Sequence, residues 1–111
     1  MTLRFAILGA GRIGKVHAKA ILAQPAASLV AVADAHAPSA DALAAICGAR
    51  VSTIDLILAD AAIDAVVICT PTDTHADLIE RFAKAGKAIF CEKPIDLNID
   101  RVKACLAVVQ A

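Results

Sequence analysis

Apolar positions along the chain come in two alternating kinds, short unbroken runs and longer segments with helical spacing. The first run, Leu3-Arg4-Phe5-Ala6-Ile7-Leu8, is short and mostly apolar, as a strand buried on both faces of a parallel sheet must be. An Ala-rich segment over 15–24 reads as a helix with Val16, Ala20 and Ala23 on its apolar side. Positions 29–33, Leu-Val-Ala-Val-Ala, form a second strand that closes on Asp34. Ser39 is placed to cap a helix reaching Cys47, with Gly48 as its stop. Arg50-Val51 makes a poor third strand at a sheet edge, and Ser52 or Thr53 can cap a short helix through Leu58 or Ala59. Ala65-Val66-Val67-Ile68-Cys69 is the clearest strand; it must end at Thr70-Pro71-Thr72, because proline has no N–H for the ladder. A helix over 73–85 puts Leu78, Ile79, Phe82 and Ala83 on one face and stops at Gly86. A fifth strand, 88–91, ends at Glu92-Lys93-Pro94, and Asn98 caps a last helix to about Gln110.

Strands alternating with helices throughout predict an α/β, doubly wound parallel sheet. Right-handed crossovers give it the strand order 3-2-1-4-5. A six-stranded sheet of this order needs another strand after the Asn98 helix, so the chain is expected to be the N-terminal part of a longer protein, cut before that strand.

The turn after the first strand is Gly9-Ala10-Gly11-Arg12-Ile13-Gly14, which fits G-x-G-x-x-G. The spacing alone is weak, but here a strand precedes it, a helix follows, and Asp34 closes the next strand twenty positions past Gly14. Together these are the parts of a Rossmann-type dinucleotide site. Gly9 allows the tight turn, Gly11 lets backbone approach a pyrophosphate, and Gly14 lets the helix pack on the strand. The helix that follows then offers free N–H groups and its positive dipole end to the phosphates, with Arg12 and Ile13 of the turn as further candidate cofactor contacts. Asp34 can accept from both adenosine ribose hydroxyls and would repel a 2′-phosphate. No Lys or Arg follows it closely, so NAD is expected in preference to NADP.

Composition narrows the partners. Lys plus Arg equals Asp plus Glu at 11 each, which leaves no basic surplus for nucleic acid or an anionic membrane. No apolar run approaches the ~18 residues that a membrane span needs, and Gly9 and Gly11 interrupt the N-terminal one, so a cytoplasmic location is expected. Cys47, Cys69, Cys91 and Cys105 form no C-x-x-C pair and are expected as buried free thiols; the three histidines show no metal-ligand spacing.

The fold plan brings three loops to one edge: 9–14, 70–75 and 92–94. Thr72 can cap the helix after the fourth strand. His75, in its first turn, either reaches a ribose hydroxyl or is a solvated helix residue. Lys93 is either a solvated loop lysine or a group that hydrogen-bonds a substrate hydroxyl and stabilises the developing alkoxide during hydride transfer. Pro94 would hold the Lys93 backbone extended. His17 and His36 read as surface or supporting groups.

These motifs, Gly9 to Gly14 with His17, Asp34, Thr70-Pro71-Thr72 with His75, and Cys91-Glu92-Lys93-Pro94, resemble the glucose-fructose oxidoreductase, inositol dehydrogenase and rhizopine-catabolism (Gfo/Idh/MocA) oxidoreductases over essentially the whole chain. Gly-Arg-Ile-Gly and Cys-Glu-Lys-Pro-Ile-Asp-Leu are most similar to the bacterial inositol 2-dehydrogenase branch. The resemblance implies NAD-dependent oxidation of a secondary hydroxyl of a cyclic polyol or sugar, in that branch myo-inositol to 2-keto-myo-inositol. It implies that Lys93 is the catalytic lysine, and that Pro71, His75 and Glu92 line the nicotinamide half of the cofactor site. It further implies a C-terminal α/β domain that carries a catalytic Asp and His and makes a homo-oligomer, without which residues 1–111 are expected to be inactive. Two other readings stay open: a dehydrogenase of another sugar using NAD or NADP, and a non-catalytic dinucleotide sensor.

Overall fold

The computed structural model describes residues 2–93 and 95–110. Five parallel strands form one sheet: β1 (Leu3–Leu8), β2 (Ala27–Ala33), β3 (Arg50–Val51), β4 (Ala65–Ile68) and β5 (Ala88–Cys91). Their order is β3-β2-β1-β4-β5, as the alternation of strands and helices predicts. The helices are α1 (Arg12–Leu22), α2 (Ala37–Cys47), α3 (Ile54–Ala59), α4 (His75–Lys84) and α5 (Ile99–Gln110). Among the described residues, no helix is long and apolar enough to cross a membrane.

Successive residues of the central strands point to opposite faces, so each strand feeds two cores. Ala6 and Leu8 of β1 and Val66 and Ile68 of β4 pack with Ile57 of α3, Phe82 of α4 and Cys105 of α5. Ile7 of β1, Val32 of β2 and Val67 of β4 pack on the other side with Ala18 and Ile21 of α1 and Leu43 of α2. This two-sided burial is why the strand sequences are unbroken apolar runs instead of alternating ones.

Helix ends follow the predicted chemistry in part. Gly48 ends α2 in the left-handed region at φ 68°. The Thr53 hydroxyl accepts from the Leu56 amide and caps α3, which decides between Ser52 and Thr53. Asn98 accepts from the amides of Asp100 and Arg101 and caps α5. Other expectations need correction. Helix α1 begins at Arg12, and it buries Gly14, Ala18 and Ile21; Val16, Ala20 and Ala23 are exposed. The glycine turn itself winds into the helix, and this rotates the buried stripe. Ser39 does not cap α2, which starts three residues earlier than that cap implies, with Pro38 in its first turn and His36 at the cap position. Pro38 explains the shift, since the first helical turn needs no N–H from it. Before α4, residues Thr72–Thr74 form a single 3-10 turn, and Thr72 makes no side-chain cap.

One stitch was not foreseen. The Lys87 ammonium donates to the carbonyls of Asp60 (2.7 Å) and Ile63 (2.8 Å), tying the start of β5 to the approach of β4. Among the described residues β5 pairs with β4 only, and its Phe90 is 54% exposed.

Candidate dinucleotide site

The strand registers align four C-terminal ends. Leu8 pairs with Ala33 and with Ile68, and Ile68 pairs with Cys91. Gly9, Asp34, Cys69 and Glu92 therefore stand one residue beyond the same rim of the sheet. β1 and β4 are neighbours although their helices lie on opposite faces, so the loops leaving them diverge and open a crevice. A cleft of about 1220 Å³ occupies that place, and Gly9, Gly11, Asp34, Thr70 and Pro71 line it.

The glycine turn is wedged between β2 and β4. The Gly9 amide donates to the Ala33 carbonyl, and the Cys69 amide donates to the Leu8 carbonyl, both at 2.7 Å. Gly9 has φ +98°, and a Cβ there would stand 2.5 Å from the Cys69 carbonyl oxygen. A Cβ on Gly14 would stand 2.0 Å from the Gly9 oxygen, so the first turn of α1 closes against the loop that starts it. Around Gly11 the opposite holds: a Cβ would meet nothing within 4 Å. Its open side faces the cleft, as backbone meant to touch a bulky anion should. No side chain caps α1 and no acid occupies its first turn, so the positive helix end is left for an anion. Arg12 and Ile13 are exposed there, and Gly14 is buried beneath them.

Asp34 is fixed from two sides. One carboxylate oxygen accepts from the Ala10 amide at 2.6 Å, and the other accepts from the His36 amide at 2.7 Å. Each oxygen keeps a lone pair for a hydroxyl donor. The acid thus serves as a brace between the glycine turn and the end of β2. A carboxylate held so close to the cleft disfavours a second negative charge there.

The loop after β4 is held by its own hydroxyls. Thr74 Oγ1 donates to the Pro71 carbonyl at 2.6 Å, so the 2.6 Å contact between the two hydroxyls must be donated by Thr70. His75 Nε2–H donates to the Thr70 carbonyl at 2.8 Å, and the residue is only 2% exposed. The solvated alternative for His75 is thereby overturned. Its ring lies under the loop and supports Thr70. Thr72 is half-buried at the start of the 3-10 turn.

Glu92 and Lys93 stand apart from the cleft. The Glu92 amide donates to the Ile68 carbonyl, and its carboxylate pairs with His17 Nε2 of α1. Lys93 is exposed; Pro94 lies outside the described residues. Sequence reading missed Ser52 and Ile54 as cleft residues, and saw in Thr53 only a cap. Their position just past the end of β3 is the signal that could have found them, because this rim carries the ligand in open α/β sheets.

The four cysteines are free, Cys105 buried and the others half-buried. Burial pushes the Cys69 thiol up to about 12 and the Cys91 thiol up to about 11, with the nearby Glu92 charge adding to both.

The profile of an oxidoreductase family described by its NAD-binding Rossmann fold, GFO_IDH_MocA, matches residues 3–111. The chain belongs to this family. Over 109 residues the chain is 71% identical to the inositol 2-dehydrogenase of Rhizobium meliloti (strain 1021), covering 98% of this chain and 33% of that protein. A myo-inositol dehydrogenase from Corynebacterium glutamicum superposes with a TM-score of 0.92 at 46% identity, over 99% of this chain and 33% of that one. GenD2 from gentamicin A biosynthesis, solved in complex with NAD, superposes with a TM-score of 0.94 at 34% identity, over 98% of this chain and 32% of that one. The chain thus spans about a third of the length of the relatives it matches.

Proposed function

We propose that this chain is the cofactor-binding part of a longer, cytoplasmic, homo-oligomeric NAD-dependent inositol 2-dehydrogenase. In this reading myo-inositol is oxidised to 2-keto-myo-inositol, and a C-terminal domain supplies the polyol pocket, the proton acceptor and the oligomer interface. The observation that carries it is the single cleft that gathers Gly9, Gly11, Asp34 and the Thr70-Pro71 loop on one rim. The strong identity to an inositol 2-dehydrogenase narrows the substrate.

NAD, when bound, accepts the hydride. The chain's own residues seat and orient it. Gly11 backbone and the start of α1 at Arg12, Ile13 and Gly14 hold the pyrophosphate, and Asp34 takes the ribose hydroxyls. Thr70, Pro71 and Thr72 border the nicotinamide half, with His75 fixing the Thr70 carbonyl from below and Glu92 fixing the end of β5. Lys93 extends from that end, and its ammonium donates to the reacting hydroxyl oxygen, stabilising negative charge as the hydride leaves.

The test uses the complete polypeptide. Lys93→Ala should lower kcat for myo-inositol by about a thousandfold while NAD affinity stays near wild type. Undiminished turnover would remove Lys93 from the mechanism. A preference for NADP over NAD in the wild-type protein would overturn the assignment of Asp34.

A further inference from the structure

His17 and Glu92 are 75 positions apart, yet they pair across the top of the sheet. His17 lies on α1, the helix whose start faces the dinucleotide cleft, and Glu92 immediately precedes Lys93. The imidazole also stacks obliquely on Phe90 of β5, with centroids 5.0 Å apart and planes at 60°. Both paired side chains are largely shielded, at 22% and 31% exposure, so solvent weakens the bond less than at an open surface. Glu92 is thus held twice, by its amide on the Ile68 carbonyl of β4 and by its carboxylate on α1. Lys93 is the first residue beyond both anchors. It is exposed and has no hydrogen bond or ion pair among the described residues, so nothing in its own side chain fixes where it stands.

We propose that His17 is a positioning residue for Lys93. By holding the Glu92 carboxylate, it ties the backbone from which the lysine departs to the helix that seats the pyrophosphate. The donor of the reacting-oxygen contact and the cofactor then share one rigid frame. The inference rests on the proposed role of Lys93.

The experiment measures kcat and NADH affinity in the complete polypeptide for His17→Ala, His17→Gln, Lys93→Ala and the double variant His17→Ala/Lys93→Ala. A misplaced reacting group costs about tenfold to a hundredfold in rate. His17→Ala should lose kcat in that range with NADH affinity within about twofold, and His17→Gln, whose amide N–H can still reach Glu92, should recover most of it. In the Lys93→Ala background, His17→Ala should cost nothing further, since there is no lysine left to position. An undiminished kcat in His17→Ala, or an equal loss with and without Lys93, would overturn the inference while leaving the lysine assignment intact. Full turnover in Lys93→Ala would overturn the lysine assignment instead. Should His17→Ala fail to fold, Glu92→Ala breaks the same pair from the other side and is read by the same comparison.

Discussion

The turn after β1 and the loop after β5 leave the same rim of the sheet, but they are built in opposite ways. The first is crowded. Backbone from β2, β4 and α1 closes on it so tightly that two of its three motif glycines have no room for a methyl group. The second leaves β5, and one side-chain pair, His17 with Glu92, ties it to α1. A site that grips a large, invariant ligand half is made from backbone geometry. A site that presents one reacting group relies on side chains, which adapt more easily. On the proposed reading, the difference teaches where substitutions act: on folding at the crowded Gly9 and Gly14, on chemistry in the loop.

The largest effect on folding should come from Gly14→Ala. Its Cβ would press on the Gly9 carbonyl oxygen, a backbone atom that β2, β4 and α1 all prevent from moving aside. A loss of about 3 kcal/mol or more is expected, at the upper end of overpacking effects, read as a lower denaturant midpoint with an unchanged slope. A stability equal to wild type would show that the turn is not crowded. Gly11→Ala sharpens the contrast within the same motif. Its backbone sits at φ −78°, where alanine is at ease, and the added methyl meets only the open cleft. Stability should hold or rise by a few tenths of a kcal/mol, while NAD affinity falls at least tenfold in a titration. Affinity that survives would mean the pyrophosphate does not pass over Gly11.

This pairing explains how much was legible in sequence. The glycines, the strand before them and Asp34 could be read because each answers to a fixed local need, a positive φ, a close approach or a charge at a strand end. The strand order followed from the same regularity. The buried face of α1 was misjudged, because the turn's winding into the helix sets its rotation, and no apolar period records that. The bond of His17 to Glu92 joins segments 75 positions apart, and the ring of His75 turns back under a residue of its own loop. Their residue types announce polar chemistry without saying which partner they meet. The brace from Asp34 to the Ala10 amide was hidden behind the acid's more familiar role toward the ribose.

A middle-sized effect tests the rim beyond the glycine turn. Thr53→Ala removes the cap of α3 at the β3 end of the cleft. It should cost about 1 kcal/mol of stability, visible as a small drop in melting temperature. A loss of NAD affinity beyond what that destabilisation explains would show that the hydroxyl also serves the ligand.

The smallest effect compares the two regions directly, through Cys69 beside the glycine turn and Cys91 at the end of β5. Both thiols are pushed up mainly by burial, Cys69 to about 12 and Cys91 to about 11. An unfolded thiol ionises near 8.5, so the unfolded chain releases its protons first as pH rises. The sign follows: the contribution to stability is complete below about pH 8.5 and is lost as pH climbs toward 11 and 12. At pH 8 both thiols should alkylate far more slowly than the same residues in denaturant, because the thiolate is the nucleophile. Of the two, Cys91 is raised less and keeps the larger thiolate fraction. Cys91 should therefore label faster, as followed by mass spectrometry of the digested protein. Faster labelling at Cys69 would mean that the turn opens more readily than β5, reversing the contrast between a crowded site and a tethered one.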